Sequence, residues 1–218
     1  MKVLITGSAH GIGRAAAVLF LSRGHEVVGL DVAEATIEHP MYVHHVCDVR
    51  GGLPAVESVN VLVCAAGIQL PDDDTIDVNL KGTIRTVEAY ALQPAIESVV
   101  TVASASATSG SEFPCYSASK GGVVTYTKNL ALRLAPYGAT ANSLSPGGVL
   151  TESNAPVTDN AALYRAVLEE TLLGKWATPE EMAEWIYFLS VVNRSMTGQD
   201  VLVDNGEIVK SNFIWPKN

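Results

Sequence analysis

Short apolar runs rich in β-branched residues alternate with longer helical patterns along nearly the whole chain. Residues 3–6, 27–31, 43–46, 59–64, 99–103 and 202–204 predict strands. Each run is too short to stand as a helix, and most are apolar at consecutive positions, the pattern of a strand covered on both faces. Helices are predicted over residues 12–23, 79–92, 116–134, 160–172 and 179–191. The last carries an explicit start signal, with Thr178 as N-cap, Pro179 at the first helical position and Glu180 and Glu181 in the first turn. This alternation predicts an α/β fold, a parallel sheet with helices on both faces. No repeat, low-complexity tract or linker-like segment divides it, so residues 1–218 read as a single domain.

Composition narrows the class of function. With 48% hydrophobic residues in 218, the chain can bury a sizeable core, which excludes intrinsic disorder. Fourteen basic against 23 acidic residues give a formal net charge of −9, which argues against nucleic acid or an anionic membrane as partner. Small molecules and further copies of the chain are the expected partners. Cys47, Cys64 and Cys115 form no CxxC pair and are too few for a disulfide framework, as in a reducing compartment, and a cytoplasmic location is expected. The apolar N-terminal run ends at Ile5, far short of a signal-peptide core, and no stretch approaches the ~20 apolar residues of a membrane helix.

The first predicted strand runs into Gly7-Ser8-Ala9-His10-Gly11-Ile12-Gly13, and a helix-favouring segment follows. A strand, a glycine-rich turn and a helix N-terminus make a seat for a pyrophosphate: glycines let the backbone approach the phosphates, and the free N–H groups and helix dipole attract the anion. The GxxxGxG spacing differs from GxGxxG, and the GK[ST] ending of a nucleoside-triphosphate loop is absent. Asp31 closes the second predicted strand, where its carboxylate accepts from adenosine ribose hydroxyls and repels a 2′-phosphate, selecting NAD over NADP.

A second block begins at the end of the fifth predicted strand, with Ser104 and Ser106, and continues through Tyr116-Ser117-Ala118-Ser119-Lys120. Four residues apart on a helix, Tyr116 and Lys120 share a face. An ammonium beside a phenol stabilises the phenolate and draws its proton exchange toward neutral pH. Ser104 directly ends the strand and is the preferred hydroxyl for a substrate oxygen, with Ser106 a competitor.

In this order, the TGxxxGxG turn, a CAAG segment, the strand-end serine and YxxxK resemble the short-chain dehydrogenase/reductase family over about residues 2–206. Further segments carry the resemblance: Asp48 and Val49 match the adenine-contacting stretch, and Cys64-Ala65-Ala66-Gly67 an NNAG turn whose two asparagines are replaced here. Asn79 lies in a matching helix segment, and Pro146-Gly147-Gly148-Val149-Leu150-Thr151 resembles a PGxxxT loop. The resemblance implies a Rossmann-type doubly wound sheet with NAD(H) across its strand ends. Gly7, Gly11, Ile12, Gly13, Asp31, Asp48, Val49, Ala65, Ala66, Gly67, Tyr116, Lys120, Pro146, Gly147, Val149 and Thr151 would contact the cofactor. It implies an oxidoreductase in which Tyr116 is the acid/base, Lys120 lowers its pKa and binds the nicotinamide ribose, Ser104 holds the substrate oxygen, and Asn79 places a water that links Lys120 to solvent. Specificity would reside in residues 152–176, whose apolar content and few basic residues favour a small apolar or neutral alcohol or ketone. Two other readings are a catalytically idle NAD-binding regulator or scaffold, and an enzyme resembling a 3-oxoacyl-carrier-protein reductase.

Other features are read more plainly. His44 and His45 are adjacent on a predicted strand and point to opposite faces, so with His39 they make no metal site. Cys115 reads as a small filler, and Asp72-Asp73-Asp74 as a solvated loop or cap cluster. Gly121 and Gly122, inside a predicted helix, imply a close neighbour, and this helix is expected to form the interface of a homodimer or homotetramer.

Overall fold

The computed structural model describes residues 1–69, 73–110 and 113–210. Its strands are β1 (Lys2–Thr6), β2 (Glu26–Asp31), β3 (Tyr42–Val46), β4 (Val61–Cys64), β5 (Ser98–Val102), β6 (Thr140–Pro146) and β7 (Asp200–Val203). They form one seven-stranded parallel sheet in the order β3-β2-β1-β4-β5-β6-β7. The helices are α1 (Gly11–Ser22), α2 (Asp73–Ile76), α3 (Thr83–Tyr90), α4 (Ser106–Ser109), α5 (Pro114–Leu134), α6 (Ala155–Thr158), α7 (Ala161–Glu169) and α8 (Pro179–Tyr187). The helix predicted over residues 79–92 begins as a π-helical turn, Asp77–Gly82, before α3, and α8 ends in a second one, Phe188–Val192.

Two apolar layers explain why the strands are apolar at consecutive positions. Val3, Ile5, Val27, Val61 and Val63 point to one face, against Ala16, Phe20, Met182 and Ile186 of α1 and α8. Leu4, Val28, Leu30 and Leu62 point to the other, against Val87 of α3 and Leu130 and Leu134 of α5. Successive strand residues alternate faces, so a strand covered twice needs apolar groups in both registers. Thr178 caps α8 as expected: Glu181 N–H donates to Thr178 Oγ1 at 3.2 Å, and Thr178 N–H to Glu181 Oε2 at 2.8 Å.

β6 is the strand that the hydrophobic pattern does not reveal. Asn142, Ser143 and Ser145 are buried on it. Their polar groups are satisfied locally: Ser143 Oγ and Ser145 Oγ donate to Asp200 Oδ1 at 2.6 and 2.7 Å, and Asn142 bonds the backbone of Met196 and Gln199. Buried hydroxyls with a carboxylate acceptor cost little, so a polar sequence lies inside the sheet.

β1 pairs with both β2 and β4, and the chain winds outward from it in both directions. At such a switch point the loops after neighbouring strands diverge and open a crevice at their carboxyl ends. Gly7 leaves β1 there and Ala65 leaves β4. Among the described residues, no helix is long and apolar enough to cross a membrane.

Candidate active site

The glycine turn is dictated by steric limits. Gly7 and Gly11 adopt φ of +70° and +51°, a region that side chains resist. A Cβ on Gly7 would lie 2.8 Å from Ala66 N, and one on Gly13 would lie 2.1 Å from Gly7 O. The turn is also tied to β2, since Asp31 Oδ2 accepts from Ala9 N–H at 2.9 Å and Oδ1 from Ala33 N–H at 2.9 Å. These bonds fix the carboxylate at the mouth of the crevice while leaving it lone pairs for a ligand hydroxyl.

After β4, Thr6 Oγ1 accepts from Ala65 N–H and Ala66 N–H at 3.2 and 3.1 Å, shaping the turn that carries Cys64 and Ala65 in place of asparagines. Cys64 is buried, and desolvation pushes its thiol up to about 12, so it is inert. Asn79 sits in the π-helical turn and is almost fully buried. Its Oδ1 accepts from Ile68 N–H at 2.8 Å, while Nδ2 donates to Ile68 O at 2.9 Å and Ser119 Oγ at 3.1 Å. The amide thus pins the wall beyond Gly67 to α5.

Pro114, at the start of α5, begins the helix that carries Tyr116 and Lys120. Lys120 is buried, its Nζ donates to Val102 O at 2.9 Å, and it lies 5.7 Å from the centre of the Tyr116 ring. Desolvation lowers its pKa to about 8. Ser104 follows β5, and its Oγ lies 3.0 Å from Ser106 Oγ and accepts from Ser106 N–H at 3.2 Å.

One cavity of about 390 Å³ gathers these elements. Of the residues singled out in the sequence, Gly7, Gly11, Ile12, Gly13, Asp31, Ala65, Gly67, Ser104, Tyr116, Lys120, Pro146, Gly147, Val149 and Thr151 line it. Ala66 and Asn79 stand just behind the wall. Asp48 and Val49 are not on it: Arg50 takes both carboxylate oxygens of Asp48, holding its carboxyl below the usual range, and Val49 packs against Gly82. His10, Ile68, Gln69, Val102 and Ala103 complete the lining with Glu152, Ser153 and Asn154, the first residues of segment 152–176. The first five have no signal in the sequence beyond adjacency to the motifs.

Ser104 and Tyr116 also border a second cavity of about 370 Å³ on the side away from the glycine turn. Val157, Val167 and Trp176 line it, whereas Leu163, Leu172 and Leu173 are exposed. The Trp176 indole is held by Tyr164, edge-on at 5.7 Å, and by Gly148, whose absent Cβ would overlap it at 2.2 Å.

The remaining expectations resolve locally. His44 Nε2–H donates to Ala33 O at 2.9 Å, and its Nδ1 lies 2.8 Å from the Tyr42 hydroxyl. Asp74 pairs with Arg50, and Asp72 lies outside the described residues. Leu80 of the same chain explains Gly122, since a Cβ there would lie 2.7 Å from Leu80 Cδ2, while Gly121 has nothing within 4 Å.

A family model described as enoyl-(acyl carrier protein) reductase matches residues 56–207. A glucose 1-dehydrogenase of Gluconobacter oxydans is 28% identical, covering 97% of this chain and 93% of that protein. A 3-oxoacyl-acyl-carrier-protein reductase of Thermotoga maritima is 30% identical, covering 94% and 97%. Among solved structures, a provisional 2-deoxy-d-gluconate 3-dehydrogenase from Agrobacterium tumefaciens with bound NADP superposes with a TM-score of 0.86 at 29% identity, covering 96% of each chain.

Proposed function

Because the chain belongs to the short-chain dehydrogenase/reductase family of hydride-transferring oxidoreductases, we propose that it interconverts a small neutral secondary alcohol and its ketone with NAD(H) as cofactor. The observation that carries this reading is the convergence of the glycine turn, Asp31, Ser104, Tyr116 and Lys120 on one cavity. The turn fits a dinucleotide, because its glycines permit the backbone conformation and close packing that a Cβ would prevent, at the N-terminus of α1 where a pyrophosphate would bind.

A bound nicotinamide would supply the acceptor for a hydride from the carbinol carbon, or the donor of one to the carbonyl carbon. The protein's part is orientation and proton transfer. Ser104 Oγ hydrogen-bonds the substrate oxygen, and the Tyr116 phenolate takes the hydroxyl proton as the C–H bond breaks and the C=O bond forms. Lys120, as ammonium, holds the phenolate form and bonds the ribose. Asn79 acts as a positioning residue through Ile68 and Ser119, next to the water path proposed for returning the proton to solvent. Gly7, Gly11, Ile12 and Gly13 with Ala65, Ala66 and Gly67 seat the phosphates and ribose, Pro146, Gly147, Val149 and Thr151 the nicotinamide end, and Asp48 and Val49 border the adenine through the backbone.

Asp31 supports NAD, since its carboxylate would face a 2′-phosphate as a like charge. A panel of secondary alcohols followed by NADH or NADPH formation tests both parts. We expect kcat/KM with NAD to exceed that with NADP by about 10²-fold, a like-charge cost of a few kcal/mol. Preference for NADP overturns the Asp31 argument. Binding of NADH with no turnover of any alcohol replaces the enzyme by an idle dinucleotide-binding regulator.

The match to a carrier-protein reductase favours a second reading, reduction of 3-oxoacyl thioesters. Against it stand the net charge of −9 and the carboxylates of the second cavity, which repel an acidic carrier.

A homo-oligomer in a reducing, cytoplasmic setting completes the proposal. Trp185, Phe188 and Val192 are exposed at the end of α8, as is Leu132 on α5, and a second copy covers such apolar surface. Sedimentation should give a multiple of the chain mass, and a monomer at high concentration would sink this part.

A further inference from the structure

The second cavity shares Gln69, Ser104, Tyr116, Gly147 and Asn154 with the cofactor cavity, so whatever occupies it presents an oxygen to Ser104 and Tyr116. Its wall has an unusual balance. No Lys, Arg or His stands among its described lining residues, while two carboxylates, Glu170 and Glu207, do. Both lie at the exposed rim. An ionised carboxylate only accepts hydrogen bonds, so it favours a ligand rich in donors and opposes a ligand carboxylate or phosphate. Gln69, Ser106 and Asn154 add neutral polar groups to the wall.

The indole of Trp176 lines the same cavity, half-buried and held against Gly148 and Tyr164. A fixed aromatic plate beside hydrogen-bond acceptors suits a ring whose C–H face is apolar and whose edge carries hydroxyls. A hydrocarbon ring would satisfy the indole and leave the carboxylates without donors from the ligand. An acyl chain with an acidic head would meet like charge.

We infer that this chamber selects a neutral polyhydroxylated substrate, a cyclic polyol or sugar, over plain cycloalkanols and over anionic hydroxy acids. The inference rests on the oxidoreductase reading above and narrows its substrate class.

Initial rates of the full chain at saturating NAD test it, using a neutral aldohexose, its 2-amino analogue, cyclohexanol and the aldonate. The aldohexose should exceed cyclohexanol and the aldonate by about tenfold or more in kcat/KM, the scale of one or two hydrogen bonds to charged acceptors. Glu170→Gln should lower the aldohexose-to-cyclohexanol ratio by about tenfold and raise the relative rate of the aldonate. Gly148→Ala, which displaces the indole, should lower the same ratio through KM. A ratio within each protein is insensitive to how much of it is folded. Preference for cyclohexanol or the aldonate, or a ratio unmoved in both variants, overturns the inference and leaves the oxidoreductase standing. Preference for the amino analogue by more than about tenfold overturns it in favour of a cationic substrate. No turnover of any alcohol overturns the broader reading as well.

Discussion

Tyr116→Phe is expected to lower kcat by about 10³-fold with the best alcohol, while the Kd for NADH stays within a few-fold of the parent value. The substitution removes one oxygen and keeps the ring that lies beside the buried Lys120 ammonium. General acid–base catalysis contributes about 10²–10⁴-fold, and the variant lacks the proposed acid/base for the carbinol proton. The proposed seat of the dinucleotide is built mainly from the glycine turn and the loops after β4 and β6. Steady-state rates and a fluorescence titration with NADH read the two halves separately. A variant within tenfold of the parent rate would remove Tyr116 as the acid/base.

Gly13→Ala should do comparable damage by a different route. Its new methyl would lie 2.1 Å from Gly7 O, 2.8 Å from Gly7 C and 3.2 Å from Thr6 O. These are backbone atoms of the turn itself, so α1 has to shift away from β1 and the pyrophosphate seat opens. We expect a loss of about 3 kcal/mol in urea denaturation, at the upper end for overpacking, and weakening of NADH binding by 10²-fold or more. Gly121→Ala is the matched control. Nothing lies within 4 Å of its added methyl, and a helical alanine is favoured by about 1 kcal/mol over glycine, so stability should hold or rise. Equal behaviour of the two variants would refute the steric account of the turn.

What was legible in the sequence follows physical lines. The apolar strands and the capped α8 are visible because double burial and capping each impose a residue pattern. The motif-bearing residues were legible because a turn this tight demands glycine at Gly7, Gly11 and Gly13, and because Tyr116 and Lys120 fall on one helix face. β6 was hidden because its burial is compensated by Asp200, a residue distant in sequence whose role as acceptor no local window contains. The π-helical turn that places Asn79 was hidden too, since one extra residue per turn leaves no compositional trace. Segment 152–176 is divided: Val157, Val167 and Trp176 line the second cavity, whereas Leu172 is exposed beside Gly206. The Asp48 carboxylate is engaged by Arg50 two residues on, a pairing that the motif alone does not reveal.

The glycine turn does not stand alone. Gly7 abuts Ala66, and the space above Gly11 is closed by the Thr151 side chain. Stretches around residues 7–13, 65–67 and 151, far apart in sequence, therefore meet around one seat. A dinucleotide held there binds the native state and not the unfolded chain, so its occupancy is linked to folding: at a hundred times its Kd it adds about 2.7 kcal/mol. The free cofactor concentration then sets the lifetime of the molecule as well as its rate, and a chain starved of dinucleotide is the one a protease finds first.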